Sequence, residues 1–165
     1  MEFLPWYNKN LIQFLKLHLT SSMSVFEYGG GNSTLFYARY VAHVCTIESK
    51  QEWFNFIKEK STKFSLPNIT IKICDNLLNF PNEIENFRIK KFDLIVIDSR
   101  DRIKCLEKSV SFLKKSGSII LDNSERENLK SAANLMKNFG FYETIFSGIR
   151  NDGVYSQSSF FAKVH

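Results

Sequence analysis

Val25-Phe26-Glu27-Tyr28-Gly29-Gly30-Gly31-Asn32-Ser33-Thr34 is an apolar run that ends in a carboxylate and opens into three glycines. It reads as a strand whose carboxyl end is left bare of side chains. In an open α/β sheet a nucleotide-like ligand lies at that edge. Glycine is needed there because a Cβ would obstruct both the tight turn and the ligand's approach. About twenty residues on, Glu48 closes the next apolar run, His43-Val44-Cys45-Thr46-Ile47. From that position a carboxylate accepts hydrogen bonds from both ribose hydroxyls. A glycine turn without a ligand is the plainer alternative, and the spacing of Glu48 argues against it.

Two ligand classes use this layout. The dinucleotide motif is G-x-G-x-x-G; Gly29 and Gly31 fit its first two places, but Thr34 occupies the third. Glu27 would repel a pyrophosphate and would suit an ammonium group. S-adenosylmethionine carries an ammonium and a sulfonium and no phosphate, so the acid-first motif favours the methyl donor over NAD(P).

Composition fits one domain spanning 1–165, with a leading helix in 1–22 and a core in 23–165. A chain of 165 residues can bury roughly 70% of its unfolded surface. With 44% hydrophobic residues and sixteen Phe, disorder is excluded. No apolar run reaches the roughly 20 residues of a membrane span. The start, Met1-Glu2-Phe3-Leu4-Pro5-Trp6, has no basic region followed by an apolar one. Cys45, Cys74 and Cys105 are far apart without a CxxC pair, and two of them are expected inside buried strands. Reduced thiols and a cytoplasmic location are the expectation. The net charge of +5 is spread over helical faces, so solvated faces explain it better than a nucleic-acid track. His18, His43 and His165 form no catalytic or zinc pattern.

Along the chain, helical spacing in 6–19 precedes the first strand, and 33–40 and 51–63 read as helices after the first two strands. Strands follow at 69–74, at Phe92-Asp93-Leu94-Ile95-Val96-Ile97-Asp98 and at Ser118-Ile119-Ile120-Leu121-Asp122. Helices are expected near 102–114 and 127–138, and closing strands at 141–146 and 158–164. The alternation predicts an α/β fold: a doubly wound, mostly parallel seven-stranded sheet with a C-terminal antiparallel hairpin. Glu27, Glu48, Asp75, Asp98 and Asp122 then sit at one edge of that sheet. Any one of these acids alone reads as a turn or cap. Five together should line a cleft and need cations to offset their repulsion.

With these residues in place, the chain resembles the class I S-adenosylmethionine-dependent methyltransferases over nearly its whole length. Glu27-Tyr28-Gly29-Gly30-Gly31 is similar to that family's first motif, Glu48 to its ribose acid, and Asp75 to its position near the adenine. The resemblance implies a Rossmann-like fold, with Gly29, Gly30 and Gly31 bordering the methionine part and Glu27 facing its ammonium. Ser33 is a candidate for the carboxylate end and equally a helix cap. Trp53 either shields the adenine or belongs to the core.

A narrower resemblance, to catechol and caffeoyl-CoA O-methyltransferases, falls on Asp98-Ser99-Arg100-Asp101-Arg102 and Asp122-Asn123. It implies Mg²⁺ held by Asp98, Asp122 and Asn123, an oxygen set suited to a hard cation. Asp98 would serve both donor and metal, and Asp98 and Asp101 are the candidate catalytic acids. The lysine base of that family is missing, and an arginine cannot replace it. In the competing view Asp98 only helps bind the donor and Asp122-Asn123 shapes a loop. Arg100, Arg102 and Arg126 either bind an anionic group of the acceptor or pair with Asp101 and Glu125. Methyltransferases of amide and base nitrogen often carry an Asn/Asp-Pro-Pro-Tyr/Phe run after the fourth strand; its absence here favours an oxygen on a small molecule, sugar or lipid-linked glycan. The leading helix and the loop 149–157 are candidate lids, and a homodimer could supply a further wall. An NAD(P)-binding oxidoreductase and a non-catalytic S-adenosylmethionine-binding partner protein are the alternatives.

Overall fold

The structure, a computed structural model, describes residues 3–164. Met1 and Glu2, part of the leader reading, and His165 lie outside the described residues. Seven strands, β1 (Ser24–Tyr28), β2 (His43–Glu48), β3 (Ile69–Ile73), β4 (Phe92–Ile97), β5 (Leu113–Asp122), β6 (Tyr142–Ile149) and β7 (Tyr155–Ala162), form one sheet in the order β3-β2-β1-β4-β5-β7-β6. Strands β1 to β5 pair in parallel, and β7 is antiparallel to both its neighbours. The strand order reverses between β1 and β4, which opens a crevice at their carboxyl ends.

The central strands are apolar on both faces because helices cover both. On one face Phe26, Tyr28, Ile95, Ile97, Ile119 and Leu121 pack beneath α4 (Arg102–Ser109) and α5 (Ala132–Asn138). On the other, Val25, Val44, Leu94, Val96 and Ile120 meet Leu11 and Leu15 of α1 (Lys9–His18) and Phe36 and Tyr37 of α2 (Asn32–Tyr37). Glu27 and its register partner Thr46 lie in sequence with that second set, so an acid is carried into an apolar layer. The helix α3 (Gln51–Lys63) follows β2 as expected.

Several boundaries differ from the sequence reading. Helix α1 begins at Lys9, because Asn8 caps it by accepting from the Leu11 N–H at 3.0 Å, leaving residues 3–8 as an arm. The stretch 102–114 divides into α4, a 3₁₀ turn Val110–Phe112 and the start of β5, which enters the sheet at Leu113 through an irregularity opposite Phe92/Leu94. The stretch 127–138 divides into a 3₁₀ turn Glu127–Leu129 and α5. The expected loop 149–157 is shortened at both ends: pairing of β6 with β7 runs to Ile149↔Tyr155 and leaves a turn over 150–154. It therefore offers no long lid. All three cysteines are free, but Cys105 is buried on α4 and Cys74 follows β3 half-buried, so only Cys45 lies within a buried strand. No helix among the described residues is long and apolar enough to cross a membrane.

Candidate active site

The glycine loop explains itself atom by atom. Gly29 leaves β1 at φ +83°, in the left-handed region, and a Cβ there would stand 2.3 Å from the Asp98 carbonyl oxygen. At Gly30 a Cβ would lie 2.5 Å from the Thr46 methyl group and 2.7 Å from the Thr34 hydroxyl. Gly31 differs: its nearest neighbour would be the Trp53 ring at an ordinary 3.6 Å. The first two glycines are demanded by packing, while the third keeps a face of the loop clear.

Above the loop lies a cleft of about 260 Å³. Gly29, Gly30, Gly31, Ser33 and Glu48 form one wall, Asp98, Ser99 and Arg100 another, and Trp6, Tyr7, Lys50 and Trp53 flank the opening. Glu48 is held chiefly by main chain, with the Ser49 hydroxyl adding a longer bond to Oε1 at 3.4 Å. Its Oε2 accepts from the Gly30 N–H at 2.8 Å, and its Oε1 accepts from the Ser49 N–H at 2.7 Å and the Lys50 N–H at 2.8 Å. These bonds fix a carboxylate at the cleft wall with lone pairs to spare.

Glu27 is completely buried and does not line the cleft. Its Oε2 accepts from the Thr34 hydroxyl at 2.5 Å, and Oε1 has no partner. Burial pushes its carboxyl up to about 8, with the Ser33 and Thr34 hydroxyls pulling the other way. The Thr34 hydroxyl also accepts from the Gly31 N–H at 3.3 Å. Thr34, which broke the dinucleotide motif, is therefore the strut between Glu27 and the loop.

Sequence reasoning missed Ser49 and Lys50, which follow Glu48, and two aromatic cleft residues from far along the chain. Tyr7 is 1% exposed, and its hydroxyl accepts from Tyr37 at 3.3 Å. Burial, then the neighbouring Tyr37, Glu27, Asp122 and Asp98, hold this phenol well above its usual range. Trp6 is 60% exposed and meets Trp53 edge-on at 5.8 Å. The only local signal was the aromatic pair itself, beside Pro5. Its place is set far away: Asn8 donates to the Phe146 carbonyl at 3.0 Å and Asn10 to the Ser147 carbonyl at 2.8 Å, fastening the arm and α1 to β6.

Of the five strand-end acids, only Glu48 and Asp98 line the cleft. Asp75 is exposed beyond the end of β3, outside the lining. Asp101, at φ +54° just before α4, pairs with Lys104 at 2.8 Å and also stays outside. Asp122 is buried and accepts from the Ser158 hydroxyl at 2.7 Å; burial, with Asp98 nearby, pushes its carboxyl up to about 7.

The expected Mg²⁺ ligands are engaged by protein partners. Asp98 Oδ1 accepts from Arg102 at 2.5 Å, and Asn123 Oδ1 accepts from Arg102 at 3.1 Å and from Arg126 at 3.0 Å. Among the described residues no group of three His, Cys, Asp or Glu could hold a metal ion. The arginine pairing expected with Asp101 and Glu125 is also corrected. Lys104 takes Asp101, and Glu125 accepts from the Gln157 N–H at 3.1 Å.

No protein-family model and no curated protein sequence matches the chain. Solved structures do match it in shape. The O-methyltransferase from Bacillus cereus, in complex with SAH, superposes with a TM-score of 0.77 at 18% identity, over 93% of this chain and 79% of that one. Precorrin-6y C5,15-methyltransferase from Geobacter metallireducens gives 0.75 at 15% identity, over 93% and 88%. An rRNA methylase from Streptococcus thermophilus gives 0.69 at 14% identity, over 93% of each chain. The names span different acceptors, so the likeness does not choose among them. What it establishes is the architecture: this chain has the Rossmann-like fold of the S-adenosylmethionine-dependent methyltransferases.

Proposed function

We propose that the chain is an S-adenosylmethionine-dependent methyltransferase acting on an oxygen of a small molecule or glycan. The observation that carries this reading is Glu48, a carboxylate fixed by the Gly30, Ser49 and Lys50 N–H groups beside Gly31, the one glycine of the loop whose Cβ would meet only an ordinary contact. Its spare lone pairs suit the two ribose hydroxyls. The methionine part would run along Gly31 and Ser33, and the adenine would rest against Trp53 with Trp6 at the mouth, where aromatic faces suit a planar base. Glu27 would act on the loop through Thr34, and an arriving ammonium group would favour its charged form.

The acceptor would enter past Asp98 and Arg100, two lining residues on the side away from Glu48. Methyl transfer forms a bond between the acceptor's lone pair and the methyl carbon while the carbon–sulfur pair returns to sulfur. The acceptor proton passes to the Asp98 carboxylate and on to water. Most of the acceleration comes from positioning and from a cleft that excludes water. The segment Asp98-Ser99-Arg100-Asp101 lacks the proline run of many nitrogen methyltransferases, which supports oxygen as acceptor.

Calorimetric titration with S-adenosylhomocysteine (SAH) tests the donor site. Binding should be weakened at least about tenfold, about 1.4 kcal/mol, by Glu48→Ala. Absence of binding by the wild type would sink the reading. With binding in hand, transfer of a ¹³C-methyl group into small-molecule and glycan fractions, read by NMR, distinguishes a methoxy product from an N-methyl one.

A further inference from the structure

Arg102 stands where a cation is least expected. It is the first residue of α4, at the end where the helix dipole disfavours positive charge. Its side chain is only 9% exposed, and its buried Nε has no partner. What holds the charge there is the strand-end polar groups, Asp98 Oδ1 at 2.5 Å and Asn123 Oδ1 at 3.1 Å. The backbones on either side are unusual too: Asp101 at φ +54° leads into Arg102, and Asn123 at φ +50° presents its amide oxygen. Neither conformation is common for a residue with a side chain, although Asn and Asp adopt it more readily than most.

The guanidinium thus collects two of the three side chains from which an oxygen-liganded metal site would be built, and the third, Asp122, is engaged with Ser158. We infer that Arg102 takes the place of a divalent cation at the ends of β4 and β5. It is a positioning residue: it neutralises Asp98 and fixes it at the cleft wall, and transfer runs without a metal. The inference rests on the methyltransferase reading for its consequence, and on the Arg102 geometry for its substance.

Mn²⁺ titration of the full chain, followed by water-proton relaxation, tests it. The wild type should give no saturable enhancement. Because Arg126 also holds the Asn123 amide oxygen, Arg102→Ala is combined with Arg126→Ala; the pair should acquire one by releasing Asp98 and Asn123, and adding Asp98→Asn should abolish it again. Should the pair not fold, Arg102→Gln with Arg126→Gln removes the charges while keeping most of the volume. Saturable enhancement in the wild type that Asp98→Asn removes would overturn the inference. So would a folded charge-free variant that gains none. SAH titrations of the wild type with and without EDTA should give one affinity; an EDTA-sensitive affinity would also overturn it. A wild type that binds no SAH in either condition defeats the methyltransferase reading and leaves the Mn²⁺ result to stand alone.

Discussion

The two halves of the crevice satisfy their polar groups by different means. At the ends of β1 and β2, Glu48 is held by three backbone N–H groups, two of them on the next residues along the chain. At the ends of β4 and β5, Asp98 and Asn123 depend on arginine side chains, and Asp122 on a serine from β7. A half built on main chain is largely indifferent to which side chains surround it. A half built on side chains changes character with each substitution. One scaffold can thus keep its main-chain half while its side-chain half is rebuilt, in keeping with the different acceptors named for chains of this shape.

Gly29 is where the halves touch, so the largest effect is expected there. A methyl group 2.3 Å from the Asp98 carbonyl oxygen, at φ +83°, should cost about 2–4 kcal/mol in urea unfolding of Gly29→Ala. A loss below that range would mean that β1 and β4 part easily and that the halves are less coupled than their contact implies. Gly31→Ala isolates the donor half. Its Cβ meets only the Trp53 ring at 3.6 Å, so stability should change by no more than about 0.5 kcal/mol. SAH affinity should nevertheless fall about tenfold. Parallel losses of stability and affinity would instead give this glycine the packing role of its neighbours.

The smallest effect reads the layer beneath the loop. Glu27 and Asp122 are both pushed up by burial, to about 8 and about 7. Between the ordinary carboxylate range and those values, the folded state holds protons that the unfolded chain has released. Stability contributed by the neutral forms is complete below that range and is lost as pH rises through the folded values. Tm should therefore fall from about pH 4.5 towards pH 8, and Glu27→Gln should flatten the slope by about half. An unchanged slope would mean that Glu27 is charged in the fold and that its partnerless oxygen is satisfied in another way.

Legibility followed the same division. Gly29, Gly30, Gly31 and Glu48 could be read because backbone geometry dictates both the residue type and the spacing. Asp98 was placed at the cleft for a similar reason, since it ends a strand beside the switch point. Asp75 lies outside the cleft lining because a strand end further along the sheet need not reach the crevice. Nothing in a linear pattern shows Arg102 folding back onto Asp98, where Mg²⁺ was expected. Trp6 and Tyr7 escaped notice because bonds from Asn8 and Asn10 to β6, far along the chain, decide where they go. Residues 149–157 read as a loop on their turn-forming Asp152-Gly153 and polar neighbours, and only pairing with a partner strand makes Ile149 and 155–157 extended. The early Leu113 start of β5 is hidden by Gly117, just before the expected start at Ser118, where a Cβ would be 2.9 Å from the Phe92 carbonyl oxygen.

The sheet order also dictates a sequence of events. β7 is the last strand along the chain, yet it sits between β5 and β6, and β6 touches the sheet only through it. While the chain is being made, β6 emerges first and must wait, with Ile145 and Ile149 on it and no strand to receive its backbone. The parallel sheet of β1 to β5 needs neither of these strands to close. Once β7 is made the turn lets the two pair as a hairpin that carries β6 to the sheet, and the interval before it is when an unpaired β6 edge is open to other chains.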